Sequence, residues 1–187
     1  MDHFYKNVRG YATDPLRMIY KQMVKAHDSG AHFVELGAFY GNSTVFMAVE
    51  IINSKKDIKF DTVDTFRGSI EHQKDGKAED STIVTYNNMA REYVENITPV
   101  QHIIRTLMMT TQQAVDFYQD ESIDFCFHDA SHEYKDVIKD LEMWYPKIKP
   151  GGYFGGHDAE FPEVKKALRE FFNNYQLYYD SWIIRKI

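Results

Sequence analysis

Apolar residues recur every three or four positions at Leu16, Ile19, Tyr20, Met23 and Val24, a spacing that predicts an amphipathic helix. Asp14-Pro15 supplies a start signal and Gly30 a stop. His32 to Leu36 has the length of a short buried strand. The helical period returns at Val45, Ala48, Val49 and Ile52. Ile58 to Val63 alternates as a strand does and ends on Asp64. Residues 67–82 are polar, have no period and predict a long surface loop. Tyr86, Met89, Ala90, Tyr93, Val94 and Ile97 mark a third helix, closed by Pro99, and Val100 to Arg105 the next strand. A short helix over Gln112 to Tyr118 precedes a strand at Ile123 to Phe127. Another helix carries Tyr134, Val137, Ile138, Leu141, Trp144 and Tyr145. Pro150-Gly151-Gly152 predicts a turn, and Tyr153 to Gly156 a strand. Pro162 opens the last helix, and Gln176–Tyr179 with Trp182–Ile187 forms a closing antiparallel pair.

Strands alternating with helices imply βαβ units and a doubly wound α/β fold. The expected sheet has seven strands, mostly parallel, with one antiparallel strand near the C-terminus and helices on both faces. No repeat or linker divides the chain. One domain over 1–187 is expected, with an N-terminal helical segment, 1–29, preceding the core, 30–187.

Composition narrows the function classes. A net charge of −6 argues against nucleic-acid or anionic-membrane partners, which reward a basic surface. A single cysteine, Cys126, excludes an intrachain disulfide and any multi-cysteine zinc site. Met1 to Lys6 holds no apolar stretch suited to a signal peptide, and no apolar run nears the ~20 residues that span a bilayer. A soluble cytoplasmic protein is the expectation. Aromatic residues make up 15% of the chain, with 13 Tyr, 13 Phe and 2 Trp.

In such sheets a ligand lies beyond the carboxyl ends of the strands, where strand order reverses. Four stretches fall there. Gly37 and Gly41 allow a tight turn after the first strand. Asp64, after the second, can accept both hydroxyls of a ribose. The bland alternative is a tight connection and a capped turn. A dinucleotide fingerprint would place a second glycine at Phe39, and Glu35 would repel a pyrophosphate. Glu35 suits the cationic amino group of an aminoacyl tail instead. Asp129 and His132 form the third stretch, His157 and Asp158 the fourth. Carboxylates with an imidazole suit a divalent cation, and His132 suits a general base. A hydrogen-bonded His–Asp turn is the structural alternative.

These residues form a larger pattern. E-L-G-x-x-x-G-x-S-T (35–44), V-D-T-F-R-G-S (63–69), I-D-F-x-x-x-D-A-S-H-E-Y (123–134) and L-E-x-W-x-P-K-I-K-P-G-G-x-x-x-G-H-D (141–158) follow in order. Over residues 30 to 160 the chain resembles the class I S-adenosylmethionine-dependent methyltransferases. It is most similar to the small branch of macrolide-sugar O-methyltransferases and cephalosporin-hydroxylase-like proteins. The resemblance implies a Rossmann-like fold and S-adenosyl-L-methionine as cofactor. By position, Glu35, Gly37, Ala38, Phe39, Gly41 and Ser43 would hold its methionine moiety, and Asp64 its ribose. Thr65 and Phe66 would flank the adenine, with Met109 and Thr110 at its edge. Asp129, which also lies beside the cofactor, His157 and Asp158 would hold Mg2+ or another divalent metal. Asp129 and His132 would be catalytic, His132 standing where related metal-dependent enzymes place a lysine. The acceptor would be a small hydroxylated molecule, and a homodimer is an open option. Residues 1–13 and 67–82 are candidate lids and acceptor walls, through Phe4, Tyr5, Arg9, Tyr11, Arg67, His72 and Lys74. A non-catalytic cofactor binder, a nicotinamide-dependent oxidoreductase and an oxidative relative are the alternatives.

Overall fold

The computed structural model of the chain describes residues 1–69, 72–75 and 88–187. Seven strands form one sheet: β1 (His32–Leu36), β2 (Lys59–Val63), β3 (Ile104–Leu107), β4 (Ile123–His128), β5 (Ile148–Gly156), β6 (Gln176–Tyr178) and β7 (Ser181–Arg185). Their order is β3-β2-β1-β4-β5-β7-β6. β1 to β5 run parallel, and β7 is antiparallel to both its neighbours. The doubly wound sheet with one antiparallel strand is therefore as expected. Among the described residues six α-helices accompany it: α1 (Asp14–Ala26), α2 (Asn42–Ser54), α3 (Met89–Ile97), α4 (Thr111–Ala114), α5 (Tyr134–Trp144) and α6 (Pro162–Phe171).

Side-chain alternation along the strands splits the core. On β1 and β4, Phe33, Phe125 and Phe127 pack with Leu16, Tyr20 and Phe46 from α1 and α2. Val34, Leu36 and Cys126 point the other way, to Leu141, Trp144 and Leu168 of α5 and α6. α2 is buried on nearly every side, because α1 and the N-terminal segment cover what the sheet does not. The Asn42 amide donates to the carbonyls of Tyr5 (2.8 Å) and Val8 (2.6 Å), which fixes that segment across the helix start.

Two elements differ from expectation. Pro99 does not precede a strand at Val100; it opens a 3-10 helix over Thr98–Ile103, its fixed φ suiting that turn. β3 starts only at Ile104, where pairing with Phe60 begins. Pro150-Gly151-Gly152 is no turn but part of β5. Gly151, at φ +81°, donates to the Lys186 carbonyl, and the register with β4 shifts nearby, as at a bulge. Tyr86 and much of the expected 67–82 loop lie outside the described residues. Among those described, no helix is long and apolar enough to cross a membrane.

Candidate active site

Strand order reverses between β1 and β4, whose following helices α2 and α5 pack on opposite faces. The turns after these two strands touch. Gly37 has φ +90°, and a Cβ there would lie 2.0 Å from the Asp129 carbonyl oxygen. The Gly37 amide donates to the Val63 carbonyl (2.8 Å), and that of Asp129 to Leu36 (2.7 Å). Three strand ends are thus drawn onto one point. Over it opens a cavity of about 710 Å3, walled by the turns after β1 to β5, by Gly10–Thr13 and by Asp180.

One half of the cavity belongs to the first two turns. Asp64 Oδ2 accepts the amides of Ala38 (2.7 Å) and Phe39 (2.8 Å), and Oδ1 that of Phe66 (2.6 Å). Phe39 and Phe66 both take positive φ, the conformation a glycine would favour. Burial raises the Asp64 carboxyl above its ordinary value, against the opposing pull of these amides. A carboxylate offers about four acceptor sites, so capping the turn and meeting a ribose are compatible. The amides of Ala38 and Phe39, spent on Asp64, are unavailable to a pyrophosphate.

Three expected cofactor contacts stand off the cavity wall. The Phe66 side chain turns into the core, 2% exposed, with its ring 4.5 Å from that of Tyr93. Its contact with an adenine would be through backbone, because the left-handed turn drives the ring inward. Glu35 lies behind the wall as well. It accepts hydrogen bonds from Tyr20 Oη (2.9 Å) and from Thr44 Oγ1. Burial pushes its carboxyl up to about 7, despite the hydrogen bonds from Ser43, Thr44 and Tyr20. Gly37, Ala38, Phe39, Ser43, Asp64, Thr65, Met109 and Thr110 do line the cavity. Gly41 does not; at φ +91° it N-caps α2, against Tyr93 and Ile97.

The other half gathers titratable groups. Asp129, His132 and Asp158 each present a ligand atom, all within 4.8 Å of one another. His132 Nε2 is 2.7 Å from Asp158 Oδ2, and the His132 ring stacks on Phe161 at 4.9 Å. His157 Nδ1 lies 3.2 Å from Asp158 Oδ2 and 3.5 Å from Asp129 Oδ1. Burial disfavours a charged His157, but the Asp129 and Asp158 carboxylates push its imidazole up to about 11. Burial works against an ionised Asp158 too, yet bonds from His132 and His157 hold its carboxyl well below the usual range. Asp158 itself takes φ +57°, which turns its carboxylate toward both histidines. Two carboxylates with imidazoles at an open cavity fit a divalent cation, whose arrival would displace a proton from His157. His128 faces Asp140, 3.1 Å away in the core, and is structural.

A family model described as "Methyltransferase domain" matches residues 34–159, a span that holds every turn just described up to Asp158. The chain belongs to this family. It carries a class I S-adenosylmethionine-dependent methyltransferase domain. Solved structures share the methyltransferase's fold. The O-methyltransferase NovP is 18% identical with a TM-score of 0.69, over 92% of this chain and 79% of its own. TomG, a Streptomyces achromogenes O-methyltransferase solved with SAM, is 12% identical with a TM-score of 0.62, over 94% and 82%. A curated relative, the uncharacterized protein y4gI of Sinorhizobium fredii, is 29% identical over 130 residues, 70% of this chain. The methyltransferase spans only 13% of that relative's length.

Sequence reasoning missed Thr13, Phe161 and Asp180 on the cavity wall. Thr13 carried a signal, a cap-type residue before Asp14-Pro15, but that signal pointed to the helix rather than the site. Asp180 carried none, since only the β6–β7 pairing brings it across the sheet to β5.

Proposed function

We propose that the methyltransferase moves the methyl group of S-adenosyl-L-methionine to a hydroxyl oxygen of a small molecule, with help from a divalent cation. The observation that carries this is the Asp129, His132 and Asp158 cluster, with His157 Nδ1 facing both carboxylates, opening on the same cavity as the Asp64 turn. The bound cosubstrate supplies a sulfonium methyl that is already electrophilic, so the protein must orient an acceptor and take its proton. Asp64 would hold the ribose, and the wall from Gly37 to Phe39 would place the sulfonium toward Asp129. Asp129, Asp158 and His157 would hold the cation, which orients a hydroxyl and lowers its pKa when bound. His132 would serve as base. Its ring lies against Asp158, with Nε2 2.7 Å from Oδ2, so that carboxylate would steady the imidazolium formed when the proton is taken. The likeness to NovP and TomG, both O-methyltransferases, supports oxygen as the acceptor atom.

The test is a methyl-transfer screen against sugars and catechols with the wild type and Asp129→Ala. Transfer is expected to fall by roughly a hundredfold or more in the variant, on the scale of a lost catalytic group. A chelator should mimic the loss, and S-adenosylhomocysteine should bind both proteins alike. Full transfer by the variant would refute the role of Asp129.

A further inference from the structure

Thr13 stands at the N-cap of α1 with extended backbone, yet its hydroxyl makes no bond to the helix. At this position a threonine hydroxyl ordinarily accepts an amide from the first turn. Here it is diverted into the active site. Thr13 Oγ1 donates to Asp180 Oδ1 at 3.1 Å and lies 3.2 Å from His157 Nε2. Asp180 Oδ2 is 3.5 Å from the same nitrogen. A hydroxyl has one proton, and a carboxylate only accepts. With that proton committed to Asp180, Thr13 Oγ1 can only accept from the imidazole. Both oxygens facing Nε2 are then acceptors, and Nε2 must carry hydrogen.

We infer that Thr13 and Asp180 are positioning residues that fix His157 as an Nε2–H donor and so aim Nδ1 at Asp129 and Asp158. The inference rests on the cation reading of that cluster. A histidine that offers one nitrogen to a cation commonly gives its other N–H to a carboxylate, which sets tautomer and ring angle. Asp180 fills that place from the β6–β7 connection, and Thr13 from the segment ahead of α1. Both residues also line the cavity. One wall is therefore tied to the reacting cluster.

The test uses the full chain labelled with 15N, observed through its imidazole resonances, and the variants Thr13→Val, Thr13→Ser and Asp180→Asn. In the wild type, the His157 Nε2 proton is expected to be present and protected from water. Its exchange should quicken at least tenfold in Thr13→Val and Asp180→Asn, while Thr13→Ser keeps the wild-type rate. Titration with Mg2+ alone should show affinity falling roughly ten- to hundredfold in the first two variants. Far-ultraviolet circular dichroism serves as the folding control and should match the wild type. Should Asp180→Asn not fold, Thr13→Val carries the test alone. An unprotonated Nε2 in the wild type, or unchanged exchange in the folded variants, overturns the inference. If Mg2+ binds no form of the protein, the cation reading fails, while the exchange data still decide the role of Thr13 and Asp180.

Discussion

Glu35 shows how one residue joins sequence to site. Its position before the first glycine marked it for a cationic group, and its type was legible. Its surroundings were not, because Tyr20 reaches it from α1 and Thr44 from α2. The carboxyl is buried, and burial raises it to about 7 in the fold from an ordinary 4.5. Between these values the folded state keeps a proton that the unfolded state has lost. Stability therefore falls as pH rises from about 4.5 to about 7, and is flat above. A displacement of ~2.5 pKa units corresponds to about 3 kcal/mol. Glu35→Gln removes this titration, so the variant's loss of stability between pH 5 and pH 8 should be smaller by up to that amount. Urea unfolding of the cofactor-free protein at both pH values measures it. An unchanged difference would mean that Glu35 titrates as an ordinary carboxyl. Phe66 illustrates the opposite limit: following Asp64 placed it near an adenine, but its positive φ swings the ring to Tyr93.

At the scale of elements, hydrophobic period located the strands that matter, and His32–Leu36 matches β1 residue for residue. Boundaries failed where local and tertiary signals conflict. Pro-Gly-Gly at 150–152 has the composition of a turn, yet its backbone groups pair with Lys186, thirty-odd residues on. No local pattern reports a partner that distant. The turn after β1 is legible as glycine-rich, and the structure adds a second demand on it. Gly37 lines the cavity and also clears the way for the Asp129 backbone. Gly37→Ala should therefore damage the fold before it damages binding. A Cβ 2.0 Å from the Asp129 carbonyl oxygen, added at φ +90°, forces the β1 and β4 turns apart. A loss of about 3 kcal/mol or more is expected, in the range of severe strain and overpacking. Thermal unfolding without cofactor measures it. A variant of wild-type stability would mean that these turns have room to separate. Gly30 is the control, since nothing lies within 4 Å of a Cβ there, although its φ of +92° carries the same backbone cost.

The whole molecule is arranged so that its least regular segments meet at one place. Gly10–Thr13, the turns after β1 to β5, and Asp180 come together around the cavity. The sheet beneath them is paired from β3 to β6, and β1 and β4 are packed on both faces, so its stability owes little to the cavity. A ligand that fills the cavity therefore stabilises the protein mainly by mass action, through its preference for the folded state. At a hundredfold excess over its dissociation constant such a ligand adds about 2.7 kcal/mol. For a chain of this length each kcal/mol raises the melting temperature by about 2–4 °C, so a rise of roughly 5–10 °C is expected with S-adenosylhomocysteine. NAD at the same concentration should give no rise. Its pyrophosphate would need the Ala38 and Phe39 amides, and Asp64 already holds both. Differential scanning calorimetry with the two ligands makes the comparison, and Asp64→Ala adds a further arm. That substitution frees the two amides and would remove the proposed ribose contact, so it should abolish the shift with S-adenosylhomocysteine. A shift that survived in Asp64→Ala would show that Asp64 only braces the turn and that the ribose is held elsewhere in the cavity.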